Sequence, residues 1–199
     1  MFITFEGIDG AGKSTQISLL TSFLQENGIE YVLTREPGGC EISEQIRDLI
    51  LSTKSNLGGV GELFLYFAAR AEHIRQVIKP ALEAGKWVIC DRFADSTFAY
   101  QGAGRGLDVA KMKEINDFAA DGISPDLTIL LDISVETSLE RRIARGKSAD
   151  RLEQNSIDFF EKVRNSFLKI AESEPKRFLV IDGNLSEFAI FEKIVARVK

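Results

Sequence analysis

The stretch FITFEGIDGAGKST, Phe2 to Thr15, decides how the rest of the chain is read. Phe2-Ile3-Thr4-Phe5 is β-branched and aromatic, the composition of a short strand. Gly7 to Ser14 follows as G-x-x-x-x-G-K-S, a phosphate-binding pattern set between a strand and a helix. Glycines 7, 10 and 12 let the backbone curl with its N–H groups pointing inward, which makes a nest for an anion. The positive end of the following helix reinforces it. Lys13 has the reach for β- and γ-phosphates, and the Ser14 hydroxyl is of the type that holds Mg²⁺. The candidate residues for holding nucleotide phosphates are therefore Gly7, Ile8, Asp9, Gly10, Ala11, Gly12, Lys13, Ser14 and Thr15. A chance glycine-rich turn is the competing reading, and the strand before and helix after argue against it.

Outward from this loop, strand and helix patterns alternate. Residues 14–27 carry Ile17, Leu20 and Leu24 on one helical face, and Gly28 is placed to stop the helix. Further strands are predicted at 30–34, 87–90, 127–133 and 178–181, and helices at 42–50, 60–84, 109–120, 135–144, 154–173 and 186–198. Pro80 should kink the helix over 60–84 or start a new segment. Residues 93–106 are polar and glycine-rich and read as a functional loop or a broken helix. The alternation predicts an α/β chain in the three-layer P-loop NTPase arrangement, a five-stranded parallel sheet flanked by helices. No linker or composition shift divides it, so residues 1–199 are read as one domain. Ligands in such sheets bind beyond the carboxyl ends of the strands. Four stretches fall there: Gly7–Ser14, Arg35-Glu36, Asp91-Arg92 and the residues after Asp132.

Composition bounds the function. A net charge of −5 argues against bulk binding to nucleic acid or an anionic membrane. No apolar run approaches the roughly 18 residues of a membrane span. The start of the chain lacks the pattern of a signal peptide. Cys40 and Cys90 match no metal or redox spacing and read as reduced thiols of a cytoplasmic protein.

Asp91 ends an apolar strand, where an acid can hold Mg²⁺, and the fork of Arg92 beside it suits a phosphate. A surface ion pair is the alternative for these two, and Asp132 is a lower-ranked competitor for the metal. Arg35-Glu36-Pro37-Gly38-Gly39 puts a charged pair before a rigid turn; Glu36 suits a sugar hydroxyl and Arg35 a phosphate, unless the loop is only solvated. Tyr66, Phe67 and Arg70 share a helix, with Tyr66 and Arg70 at i,i+4. They suit a base, although aromatics at helical spacing are more often core. Arg141, Arg142, Arg145, Lys147 and Arg151 crowd one stretch of an acidic chain. Arg141 and Arg145 share a face and would repel each other without an anion between them. A solvated basic patch is the bland reading; arginines closing on a transferring phosphoryl group are the functional one. His73, the only histidine, suggests neither a metal site nor a triad.

Taken together, FEGIDGAGKST, TREPGG, YFAARAEH, IKPAL, CDRF, STFAYQG, PDLTILLD and RRIARGKSADRLE resemble the bacterial thymidylate kinase family over nearly the whole chain. The P-loop is common to many nucleotide-hydrolysing proteins; TREPGG with DRF and AYQG is far more specific. The resemblance implies Mg²⁺-dependent transfer of the ATP γ-phosphoryl group to dTMP, for dTTP synthesis, by a cytoplasmic homodimer. Carried over by position, Asp9, Arg35, Glu36 and Arg47 would surround the sugar and phosphate of dTMP. Arg92 would grip the acceptor phosphate, with Asp91 near the metal. Arg70, Thr97 and Gln101 would read thymine, Tyr66 or Phe67 would stack on it, and Tyr100 would crowd out a ribose. Some relatives carry an arginine where this chain has Gly10. The resemblance thus implies catalytic arginines in a lid at about 141–152, here Arg141, Arg142, Arg145 and Arg151, with Arg142 and Arg145 acting beside Lys13, Asp9 and Arg92, and Arg141 and Arg145 touching ATP. Cys40, Phe93 and Tyr66 depart from the usual family residues. Other nucleoside monophosphate kinases and deoxynucleoside kinases are the nearest alternatives. A GTP-dependent switch would need an N-K-x-D, and the chain has none.

Overall fold

The structure, a computed structural model, describes residues 1–146 and 150–198. Lys147 of the basic stretch, and with it part of the expected lid, lies outside the described residues. Five strands, β1 (Phe2–Glu6), β2 (Tyr31–Arg35), β3 (Trp87–Asp91), β4 (Leu127–Asp132) and β5 (Phe178–Asp182), form an all-parallel sheet in the order β2-β3-β1-β4-β5. The strand that opens the phosphate motif is therefore central. The helices are α1 (Lys13–Glu26), α2 (Glu41–Leu51), α3 (Gly59–His73), α4 (Lys79–Glu83), α5 (Ala94–Thr97), α6 (Val109–Ala119), α7 (Val135–Arg145), α8 (Ile157–Ser173) and α9 (Glu187–Val198).

The strands read as apolar runs because both sheet faces are buried. Ile3 and Phe5 of β1 pack with Ile89, Ile129 and the apolar face of α1, Ile17, Leu20 and Leu24. Alternate residues on the other face, Phe2, Val88 and Cys90, pack with Ile74, Ile78 and Ala81. Each large apolar side chain buried in this way contributes roughly 1.5–3 kcal/mol. The helix expected over 60–84 continues through a widened π turn, Ile74–Ile78, into α4, where Pro80 sits in the first turn and needs no N–H partner. Residues 93–106 resolve as a broken helix: α5 runs into a second π-helical stretch, Phe98–Gly104. Such widened turns often mark functional sites. No helix among the described residues is long and apolar enough to cross a membrane.

Register then positions the site. Phe5 pairs with Asp91, and Asp91 with Arg35, so β1, β3 and β2 end level with one another. The segments leaving those ends, Gly7–Ser14, Arg92 onward and Glu36 onward, are thereby delivered to one edge of the sheet.

Candidate active site

The phosphate loop lies flat against the sheet. Gly7 has φ 130°, and a Cβ there would stand 2.4 Å from the Leu131 carbonyl oxygen of β4, so no larger residue fits. Lys13 is folded across the loop, donating from Nζ to the carbonyls of Gly7 (3.0 Å) and Ile8 (3.2 Å). Burial, and then the nearby Arg92 charge, lower its pKa, while Asp91, Asp9 and Glu6 oppose the shift. Ile8 and Ala11 turn their side chains into the core and leave only backbone for a ligand. Two α7 side chains brace the loop from outside: Ser138 Oγ donates to Asp9 O (2.6 Å), and Arg141 donates to Gly10 O and Gly183 O (both 3.1 Å). The structure thus places Arg141 behind the loop rather than in the cleft. Asp132 does not reach the cleft either; it is held by Arg164 through two bonds of 2.7 and 2.8 Å.

Arg92 sits at the turn leaving β3 with φ 69°, a left-handed conformation that a bulky residue seldom adopts. The turn swings its guanidinium back over the loop. Nη1 donates to Gly7 O and Ser96 Oγ (both 3.0 Å), Nη2 donates to Asp9 Oδ1 (2.9 Å), and the group lies 5.3 Å from the centre of the Tyr100 ring. Burial works against the Asp9 charge, but Arg92 and then Lys13 outweigh it and hold the carboxyl at about 2. Beside this pair, Asp91 keeps one buried carboxylate oxygen, Oδ1, without a hydrogen-bond partner among the described residues, and the Ser14 hydroxyl opens into the same cleft. Two hard oxygen donors at the phosphate end of a cleft fit Mg²⁺, which takes few protein ligands and completes its shell with phosphate and water.

Glu6 was not singled out by the sequence reading, yet it sets the Arg92 segment. Its Oε1 accepts from the backbone N–H of Phe93 (2.7 Å), and its Oε2 accepts from Ser96 Oγ (2.5 Å). Burial first, and the Asp95 charge second, push this carboxyl up to about 7. The signal available in the sequence was an acid at the end of a fully apolar strand.

At the other end, Arg70 is fully buried and spreads its fork over three partners. Nε donates to Glu36 Oε2, Nη1 to Asn116 Oδ1 and Nη2 to Thr97 Oγ1, all at 2.8 Å. His73 backs Glu36: its Nδ1 is 3.0 Å from Oε1, and its Nε2 is 2.6 Å from Thr34 Oγ1. A histidine to which the sequence assigned nothing is therefore a positioning residue. Arg47 donates to Pro37 O (2.7 Å), and Arg35 pairs with Glu44 (2.8 Å) in solvent. Phe67 is not brought to the cleft. Successive helical residues point about 100° apart, so Tyr66 faces the cleft while Phe67 packs with Leu63 and Met112.

Between these ends runs one cleft of about 340 Å³, within the range of small-molecule sites. Asp9, Gly10, Gly12, Lys13, Ser14, Asp91 and Arg92 line it together with Arg35, Glu36, Arg47, Tyr66, Arg70, Thr97, Tyr100 and Gln101. Phe93, Ser96, Leu51, Asp150 and Leu152 join them unforeseen, because three of these come from loops whose approach depends on tertiary packing. Of the basic stretch, Arg145 reaches the cleft wall and pairs with Glu153 (2.5 Å). Arg142 does not; it lies over the Phe160 ring at 4.6 Å and donates to Glu153 O. Arg151 pairs with buried Glu62 (2.5 Å). The expected repulsion within this stretch is relieved by carbonyls and carboxylates of the chain itself.

Fold and cleft define a P-loop protein whose phosphate loop opens into one continuous cleft of small-molecule size. The family model described as thymidylate kinase matches residues 5–194. A thymidylate kinase from Geotalea uraniireducens is 48% identical, covering 99% of this chain and 97% of its own. One from Geotalea daltonii is 52% identical over 92% of this chain and 88% of its own. The crystal structure of thymidylate kinase from Ehrlichia chaffeensis has a TM-score of 0.80 at 37% identity, covering 100% of this chain and 98% of that one. The chain belongs to the thymidylate kinase family and is, by that membership, a kinase.

Proposed function

We propose that this chain transfers the γ-phosphoryl group of ATP to dTMP, giving dTDP and ADP, by direct in-line displacement with no phosphoenzyme. The continuity of one cleft from Lys13 and Ser14, past Arg92, to Tyr66, Arg70 and Gln101 carries the reading. The acceptor is a phosphate dianion, so it needs positioning and charge neutralisation more than a general base. The backbone of Gly7–Thr15 cradles the ATP phosphates, and Lys13 and Arg92 share the charge that develops between donor and acceptor. Arg145 adds to it from the lid side, with Arg142 as the second lid arginine. Glu36, held by Arg70 and His73, accepts a sugar hydroxyl; Tyr66 stacks on the base. Mg²⁺ held by Ser14 and Asp91 would supply further neutralisation of the phosphoryl oxygens.

A coupled ADP-release assay with ATP and Mg²⁺ tests this against dTMP, dUMP, dCMP, dGMP, AMP and thymidine. ADP is expected with dTMP and more weakly with dUMP. One methyl group separates those two, worth about 1–3 kcal/mol. Preference for another monophosphate would overturn the base-pocket roles; no acceptor-dependent ADP would overturn the activity. The homodimer belongs to the same proposal. Ile42, Leu49, Val60, Phe64 and Phe118 expose apolar side chains on the neighbouring helices α2, α3 and α6, and such a face supports self-association. Sedimentation showing a monomer at micromolar concentration would overturn it. A cytoplasmic location fits two free thiols, Cys40 and Cys90, and recovery of the activity outside the soluble cell fraction would overturn that.

A further inference from the structure

Glu62 lies on α3, one turn before Tyr66, and its side chain is wholly buried. No motif pointed to it, yet three side chains converge on its carboxylate. Gln101 Nε2 donates to Oε1 at 2.7 Å, Arg151 Nη2 donates to Oε2 at 2.5 Å, and Arg105 approaches both oxygens at 3.4 Å. Arg151 is also tied to Ile50 O, and Arg105 to Asn155, so both arginines are anchored at their other edges.

We infer that Glu62 is a positioning residue that sets base selectivity by locking the Gln101 amide with its carbonyl toward the cleft. This rests on the proposed dTMP reading and extends it. Burial raises the pKa of Glu62, but the bonds from Gln101 and Arg151 and the charges of Arg105 and Arg151 bring it below the ordinary carboxylate value. An ionised carboxylate has acceptors and no donor. Only the NH₂ edge of Gln101 can face it, so the usual ambiguity of an amide's two ends is removed by chemistry. The Oε1 edge of Gln101 is the one left for the cleft it lines. A fixed carbonyl there accepts the ring N3–H of a thymine or uracil. It meets the N3 of a cytosine lone pair to lone pair. Arg70 and Thr97, at the same end of the cleft, are joined to each other and to Glu36 in the same rigid manner. Selectivity against cytosine then comes from an acceptor that cannot turn over, which discriminates far better than apolar fit does.

The test is Glu62→Gln, with kcat/KM measured for dTMP and dCMP. A neutral amide at 62 can donate as well as accept, so Gln101 becomes free to flip. The dTMP to dCMP ratio is expected to fall about tenfold or more, with dTMP losing more than dCMP. Arg105→Gln loosens the same charge cluster without touching the amide and should leave the ratio unchanged. If Glu62→Gln lowers both acceptors equally, Glu62 is only a structural anchor and the inference is overturned. Should that variant not fold, the wild-type protein decides. With Gln101 selectively ¹⁵N-labelled, its side-chain NH₂ protons should be protected from solvent exchange with and without dTMP. Rapid exchange, or NOEs from those protons to the bound base, would overturn the inference. Gln101→Leu separates this from the parent reading: unimpaired use of dTMP there would mean that Gln101 does not read the base at all.

Discussion

Arg92→Ala is expected to lower turnover with dTMP by about 10³-fold, because an arginine neutralising a transferring phosphoryl group is worth at least that much. The fold should survive. The Arg92 side chain sits at the cleft, and its partner Asp9 keeps 27% of its side-chain surface in solvent, so water replaces the lost ion pair. Alanine at φ 69° is no more strained than arginine there. A thermal melting temperature within about 3 °C of the parent, alongside the lost turnover, would match the proposal; a 1.0 kcal/mol change moves a domain of this size by about 2–4 °C. A second readout is electrostatic. With the Arg92 charge gone, the Asp9 carboxyl should titrate above its value of about 2, closer to an ordinary aspartate, by carbon NMR. Near-normal turnover would remove Arg92 from the machinery.

Arg70→Met should act in the opposite way, on stability before chemistry. Among the described residues Arg70 is the bulkiest wholly buried side chain, and its loss leaves the Glu36 carboxylate buried with His73 beside it. Breaking one side of a buried ion pair costs about 3–5 kcal/mol, which corresponds to roughly 10 °C in melting temperature. Methionine fills much of the volume but offers no donor to Thr97 or Asn116. Adding Glu36→Gln removes the stranded charge, so the double variant should melt above Arg70→Met alone, the signature of coupled partners. Equal melting of the two would mean that the pair does not carry the stability assigned to it. Stabilisation by added dTMP should vanish in both, since each lacks part of the pocket.

The two variants also show how differently their sites were legible. Arg92 could be read from the chain because local rules reach it: an apolar strand ends at Asp91, and ligands bind beyond strand ends in parallel sheets. Arg70 could be read only half-way. Helical spacing paired it with Tyr66, but nothing in the spacing distinguished a surface arginine from one sunk among Glu36, Thr97 and Asn116. Its partners lie 27 to 46 positions away, on other elements. Phe67 was misplaced for the same reason; one residue along a helix changes which neighbour a side chain meets.

The phosphate loop, the five parallel strands and the order of helices between them were set by the sequence alone. Each depends on contacts within a few residues: glycines at positive φ, apolar runs bounded by turns, helical periodicity. The tertiary structure decided what the buried charges do. It turned Arg141 from a cleft arginine into a brace behind the loop, tied Asp132 to Arg164, put His73 behind Glu36, and gathered Gln101, Arg105 and Arg151 around Glu62. A buried charge takes its role from partners brought by distant strands and helices, because its desolvation must be met by specific groups in three dimensions. Neighbours along the chain do not supply them, so the sequence could name these residues as charged but not say whom they serve.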